Sequence, residues 1–145
     1  MIEVRVQAGR FIPGEELDRL EALGGGGVAS FTGIVRGEGD LASLTLDHYP
    51  GMTERMLGAI ADQAAARWPL LGLIVVHRFG EMAPGERIVF VGTAARHRGA
   101  ALEACAFLID WLKTRAPFWK RERFADGTTG WVAPRAADDE AASRW

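Results

Sequence analysis

The chain has 145 residues, 48% of them hydrophobic and 25% charged, with a formal net charge of -2. That length accommodates one domain, 1–145, with a real core, and the slightly acidic balance excludes a general nucleic-acid binder, which needs a broad basic surface. No apolar run approaches the roughly 18 residues of a membrane span and the start of the chain lacks a signal peptide's apolar segment, so a cytoplasmic location is expected.

Taken in chain order, MIEVRVQA alternates Ile2, Val4 and Val6 and predicts a strand. Pro13 and Gly14 open a short helix through Leu17, Leu20 and Leu23, and Gly24 to Gly27 end it. The four glycines lack the GK[ST] ending of a phosphate loop and lead into a strand-like VASFTGIVR, so a flexible connection is expected. LASLTLDHY alternates as the partner strand of a hairpin with it, and Pro50-Gly51 breaks that strand.

Met52 to Trp68 carries Met56, Ile60, Ala64 and Arg67 at helical spacing, with Leu57 and Ala61 alongside. LLGLIVVHRF is a nearly continuous apolar run of the kind a central strand shows, and EMAPGER turns into the strand RIVFVGTAA. ARHRG opens a helix from Ala100 to Arg115 that Pro117 ends. FWKRERF and GWVAP then predict one or two short strands, with a terminal helix or tail in ADDEAASRW. The fold class is α+β, a mixed, largely antiparallel sheet with helices packed on it.

Lys113 and Lys120 are the only lysines, whereas fifteen basic residues are arginine. Arginine stays protonated, but a lysine amine crowded by cations or buried can lose its proton and act as acid, base or nucleophile. Alternation puts Lys120 on the side of Phe118 and Glu122, with Trp119 and Arg121 opposite. Lys113 falls in the last turn of its helix, where a cation also satisfies terminal carbonyls. From Arg96 to Arg123 the basic residues Arg96, Arg98, Lys113, Arg115, Lys120, Arg121 and Arg123 outweigh Glu103, Asp110 and Glu122. That local surplus points to an anion site, and ARHRG puts part of it at a helix N-terminus.

The single cysteine, Cys105, shares a predicted helix face with Leu102, Ile109 and Leu112, which makes it a core residue rather than a reactive thiol. One cysteine builds neither a disulfide nor a multi-cysteine zinc site. His48, His77 and His97 show no ligand-like spacing, so no metal is expected.

The stretches FTGIVRGE, LDHYPGMTE, VHRFGEMAPGE, HRGAALEACAFLIDWLKTRAPFWKRE and WV resemble the MoaE family, the large, catalytic subunits of molybdopterin synthase. The resemblance runs in order from about Val28 to Val132. It implies an α/β hammerhead-like fold and an enzyme that converts cyclic pyranopterin monophosphate to molybdopterin by inserting two sulfur atoms as a dithiolene. No cofactor is implied. The implied partners are a small ubiquitin-like sulfur-carrier subunit, whose C-terminal Gly-Gly thiocarboxylate enters the active site, and a second copy of the large subunit at the centre of a heterotetramer.

Carried onto this chain, the family pocket falls on Arg36, His97, Arg98, Lys113, Lys120, Arg121 and Glu122, with Lys113 and Lys120 as the catalytic amines. Ile34 stands where many relatives have lysine, and the loop from Gly37 to Leu41 is shorter than in some. Sulfur carried by a thiocarboxylate needs no catalytic cysteine. What the subunit must supply is cationic binding for the phosphate and groups that move protons. The competing reading is a non-catalytic, anion-binding adaptor that docks a partner's acidic tail in the same cleft.

Overall fold

The protein was analysed as a computed structural model that describes residues 1–132 and 136–145. Its elements run β1 (Ile2–Gln7), α1 (Pro13–Glu21), β2 (Gly27–Ile34), β3 (Leu41–His48), α2 (Met52–Arg67), β4 (Leu70–Arg78), β5 (Gly80–Met82), β6 (Arg87–Ala95), α3 (Arg98–Arg115), β7 (Phe118–Phe124), β8 (Thr129–Trp131) and α4 (Ala136–Ser143). The strands form two sheets, ordered β1-β4-β6-β2 and β5-β3-β7-β8. Among the described residues only the β1–β4 pairing is parallel. The other pairings are antiparallel.

The inner strands of the first sheet, β4 and β6, are buried on both faces. Leu73, Val75, Val89 and Val91 pack against α2 and α3 through Leu57, Ile60, Ala64, Ala104 and Leu108. On the other face Ile74, Val76, Phe90 and Ala94 meet Phe11 and Leu20. A strand covered on both sides has no polar face to alternate with, which is why LLGLIVVHR reads as a continuous apolar run. The second sheet rests on a smaller cluster of Val35, Leu44, Leu46 and Met82, joined by Phe118 and, from the first sheet, Ile88.

The expected hairpin of VASFTGIVR with LASLTLDHY does not form. β2 pairs with β6, whereas β3 pairs with β5 and β7 in the other sheet. Alternation fixes the face a strand buries but not its neighbour, and here both strands found partners distant in sequence. The glycine run is not a flexible connector either. A Cβ on Gly25 would strike the Ala95 carbonyl and the Leu71 side chain, and one on Gly26 the Arg96 carbonyl, so these positions let the backbone pass close over the end of β6.

Most of the expected helix faces are buried, Leu57, Ile60, Ala61 and Ala64 in α2 and Cys105 and Leu112 in α3, but each expected stripe is too wide at one edge. Leu102 is 59% exposed and Met56 is also exposed, while Ala101, Ala104, Cys105, Leu108 and Leu112 line the buried side of α3. Small residues permit close packing of helix on sheet, and the larger apolar side chains alone misplace the stripe. FWKRERF and GWV pair as β7 and β8, ADDEAAS is helical, and residues 133 and 134 of the expected strand lie outside the described residues.

Candidate active site where the two sheets meet

The register of β3 against β7 sets Lys120 opposite Leu46, Phe118 opposite His48 and Glu122 opposite Leu44. Because directly opposed residues share a face of the sheet, Lys120, Phe118 and Glu122 lie on the side of buried Leu44 and Leu46, and Lys120 is half-buried there. On this side β7 meets the first sheet: the Phe118 ring is stacked on His77 of β4, centroids 3.8 Å apart and planes within 15°. His48 completes the group, with its ring centroid 4.3 Å from Phe79 and 6.1 Å from Phe118.

His77 is only 8% exposed, and its Nδ1 lies 2.9 Å from the carbonyl oxygen of Arg78. Burial above all, reinforced by electrostatic repulsion from Lys113, Lys120 and His48, pushes its pKa down to about 4 against the opposing pull of the Arg78 carbonyl. The ring is therefore neutral at pH 7. Lys113 comes from the last turn of α3 and Lys120 from β7, so two different elements bring amines within electrostatic reach of one buried imidazole.

The remaining implied residues divide. Arg121 is on the opposite face of β7, its guanidinium carbon 5.7 Å from the Trp131 ring centroid, beside Arg123, which pairs with Glu81 at 3.7 Å. Arg36 follows β2, exposed and paired with Glu38 at 2.8 Å; the neighbouring Val35 N–H donates to the Glu86 carbonyl, fixing the chain at the β6 entrance. His97 and Arg98 are exposed at the opposite end of the sheet, as the N-cap and first residue of α3. Fifteen residues of α-helix separate Arg98 from Lys113, about 22 Å at 1.5 Å per residue. Within one chain Lys113, Lys120 and Glu122 gather with Arg36 toward one end, and His97 and Arg98 stand at the other.

Cys105 is buried, its Sγ 3.9 Å from the Val91 carbonyl oxygen, and burial raises its pKa to about 11. It stays a thiol at neutral pH and takes the core role expected of it. Sequence reading passed over His48 and His77. His48 is the last residue of β3 and His77 the last but one of β4, but these strands belong to different sheets, so no local spacing links them. The signal on offer was a polar ring closing an apolar run immediately before Arg78.

In chemical terms one face of β7 presents the Lys120 amine and the Glu122 carboxylate beside the neutral, buried His77, with the exposed Lys113 amine within electrostatic reach of that ring.

The MoaE protein family model matches residues 7–115. A protein from Pseudomonas aeruginosa named molybdopterin synthase catalytic subunit is 52% identical, the match covering 98% of this chain and 97% of that protein. The structure of a molybdopterin biosynthesis MoaE protein from Burkholderia ambifaria superposes with a TM-score of 0.86 at 44% identity, over 100% of this chain and 98% of that one. The same fold, at 22% identity and a TM-score of 0.75 over 91% of each chain, occurs in a complex of subunits 1 and 2 of molybdopterin-converting factor from Helicobacter pylori. The chain belongs to the MoaE protein family, among relatives named as catalytic subunits of molybdopterin synthase.

Proposed function

We propose that the protein is the catalytic subunit of a molybdopterin synthase: a cytoplasmic sulfurtransferase that takes sulfur from the C-terminal thiocarboxylate of a small carrier subunit. The acceptor is cyclic pyranopterin monophosphate, and the product carries a dithiolene. The observation that carries this reading is that Lys113, exposed in the last turn of α3, and Lys120, half-buried on β7, the only amine side chains in the sequence, both act electrostatically on the buried His77, which stacks on Phe118. Arginine elsewhere supplies charge; amines at these two positions supply charge and an exchangeable proton. Since Cys105 is a buried thiol, sulfur reaches the substrate directly from the carrier in this account.

The division of the site has a consequence for assembly. β2 is an end strand of its sheet and exposes Val28, Phe31 and Ile34. Two copies paired along this edge about a two-fold axis run antiparallel, which sets the Gly27 end of one beside the Ile34 end of the other. His97 and Arg98, adjoining Gly27, then approach Arg36 of the second copy. We place the substrate phosphate between these cations and the reacting carbons near the lysines. Arg121, on the far face, is assigned to contact with the carrier rather than to chemistry.

The test is to mix the purified protein with cyclic pyranopterin monophosphate and thiocarboxylated carrier. Product formation supports the enzyme. Carrier binding without product supports the adaptor.

A further inference from the structure

Three observations converge on His77. Its Nδ1 faces the Arg78 carbonyl at 2.9 Å, and since a carbonyl only accepts, Nδ1 carries the hydrogen. A neutral imidazole has a single N–H, so Nε2 keeps a lone pair. The ring is clamped against Phe118, which lies two residues from Lys120 on the same strand face, about 7 Å away along the chain.

The titratable groups acting on the ring are Lys113 from α3, Lys120 from β7 and His48 from β3. On its own strand, Arg78 turns its guanidinium away to the carbonyls of Ala8 and Arg87 and to Glu86. An ammonium group has three donors and no acceptor, so its one way to hydrogen-bond a neutral imidazole is N–H to Nε2. A phenyl ring would fill the same space without the cost of burying a polar one.

From this geometry we infer that His77 is a positioning residue for the lysine pair: locked as the Nδ1–H tautomer, it holds the Phe118–Lys120 segment by stacking and accepts an ammonium N–H at Nε2. The inference rests on the sulfur-transfer reading given above. It names a role for a buried group that the charge pattern alone does not include. Its effect is on the orientation of an amine and the direction of its proton, so a loss should fall on kcat while substrate affinity is kept.

The experiment has two arms. The tautomer of His77 in the wild-type protein is read by 15N-detected imidazole NMR: a pyrrole-type Nδ1 and a pyridine-type Nε2 are expected, and a protonated Nε2 in a neutral ring would overturn the inference. Steady-state sulfur transfer from thiocarboxylated carrier is then measured for His77→Phe and His77→Gln, with folding checked by circular dichroism. We expect His77→Phe to keep KM and lose about ten-fold in kcat, and His77→Gln, whose amide both donates and accepts, to recover part of the loss. A folded His77→Phe protein with wild-type kcat overturns the inference even if the lysine variants are inactive. Should Lys113→Arg and Lys120→Arg both turn over at the wild-type rate, the reading beneath it falls as well.

Discussion

Leu46 and Lys120 stand directly opposite one another in the β3–β7 ladder, so the lysine stem lies on the face packed with Val35, Leu44 and Met82, whereas Arg121, the next residue, is turned to the other side. Two adjacent cations thus have separable roles. Lys113→Arg and Lys120→Arg keep the charge and remove the amine, and each should lower kcat about ten-fold or more while leaving the fold and carrier affinity intact. Arg121→Ala should instead change carrier affinity with little effect on single-turnover rate. Stopped-flow turnover with thiocarboxylated carrier separates these outcomes; equal rates for the lysine variants and wild type would make the lysines merely electrostatic.

Arg36 and Arg98 are assigned to the substrate phosphate. Replacing either with alanine removes a charge-assisted hydrogen bond, so substrate affinity should fall by roughly 1.5 to 3 kcal/mol. Isothermal titration with cyclic pyranopterin monophosphate measures this. Unchanged affinity in both would remove them from the pocket.

Cys105 offers a test of the sulfur route. Cys105→Ser should still form product, with stability lowered by about 1 to 3 kcal/mol because a hydroxyl replaces a thiol on a buried face. A folded but inactive Cys105→Ser protein, or a persulfide trapped on Cys105 by mass spectrometry, would contradict direct transfer. The sign of its titration also follows. The folded pKa, about 11, lies above the ordinary value of 9.0, so the thiol is kept protonated by the fold and stability is lost as pH rises from 9 toward 11.

His77 behaves in the opposite sense. Its folded pKa of about 4 lies below the ordinary 6.5, so the unfolded chain takes up the proton first and stability is lost as pH falls from 6.5 toward 4. Urea titrations across that window should show a decline on the order of 3 kcal/mol, largely absent in His77→Phe. An equal slope in both proteins would remove His77 as its source.

Near the end of the chain, Trp145 is anchored on α3. Its Nε1 donates to Asp110 at 2.6 Å, its carbonyl accepts from Arg67 at 3.0 Å, and its ring meets Trp68 and Phe107 edge-on. Trp145→Ala should cost about 2 to 3 kcal/mol, read as a lower melting temperature, because the ring is partly buried rather than fully enclosed. An unchanged melting temperature would mean the contact carries no net stability.

The elements were legible where burial leaves a periodic trace. β6 has the predicted bounds because turn residues Ala83 to Glu86 precede an apolar run. Strand partners were not legible: β2 and β3 are consecutive yet belong to different sheets, and alternation contains no information about which edge a strand meets. The lysines were visible through composition, the one place where a nearly all-arginine chain changes its choice of cation. His77 and His48 were not, because their neighbourhood exists only after β4 and β7 meet across the sheets. Nor could charge counting show that Arg98 and Lys113 sit at opposite ends of one helix.

Reconstitution of a mixed dimer tests the central claim most directly. Differently tagged Arg98→Ala and Lys120→Ala chains are co-expressed, the heterodimer is isolated through both tags, and product is measured at substrate concentrations below KM. If each site uses the lysines of one chain and Arg98 of the other, the heterodimer contains one site with both residues intact and should recover about half of the wild-type activity, while both parent homodimers remain poor. A heterodimer no more active than its parents would contradict a sulfur-transfer site shared between two copies.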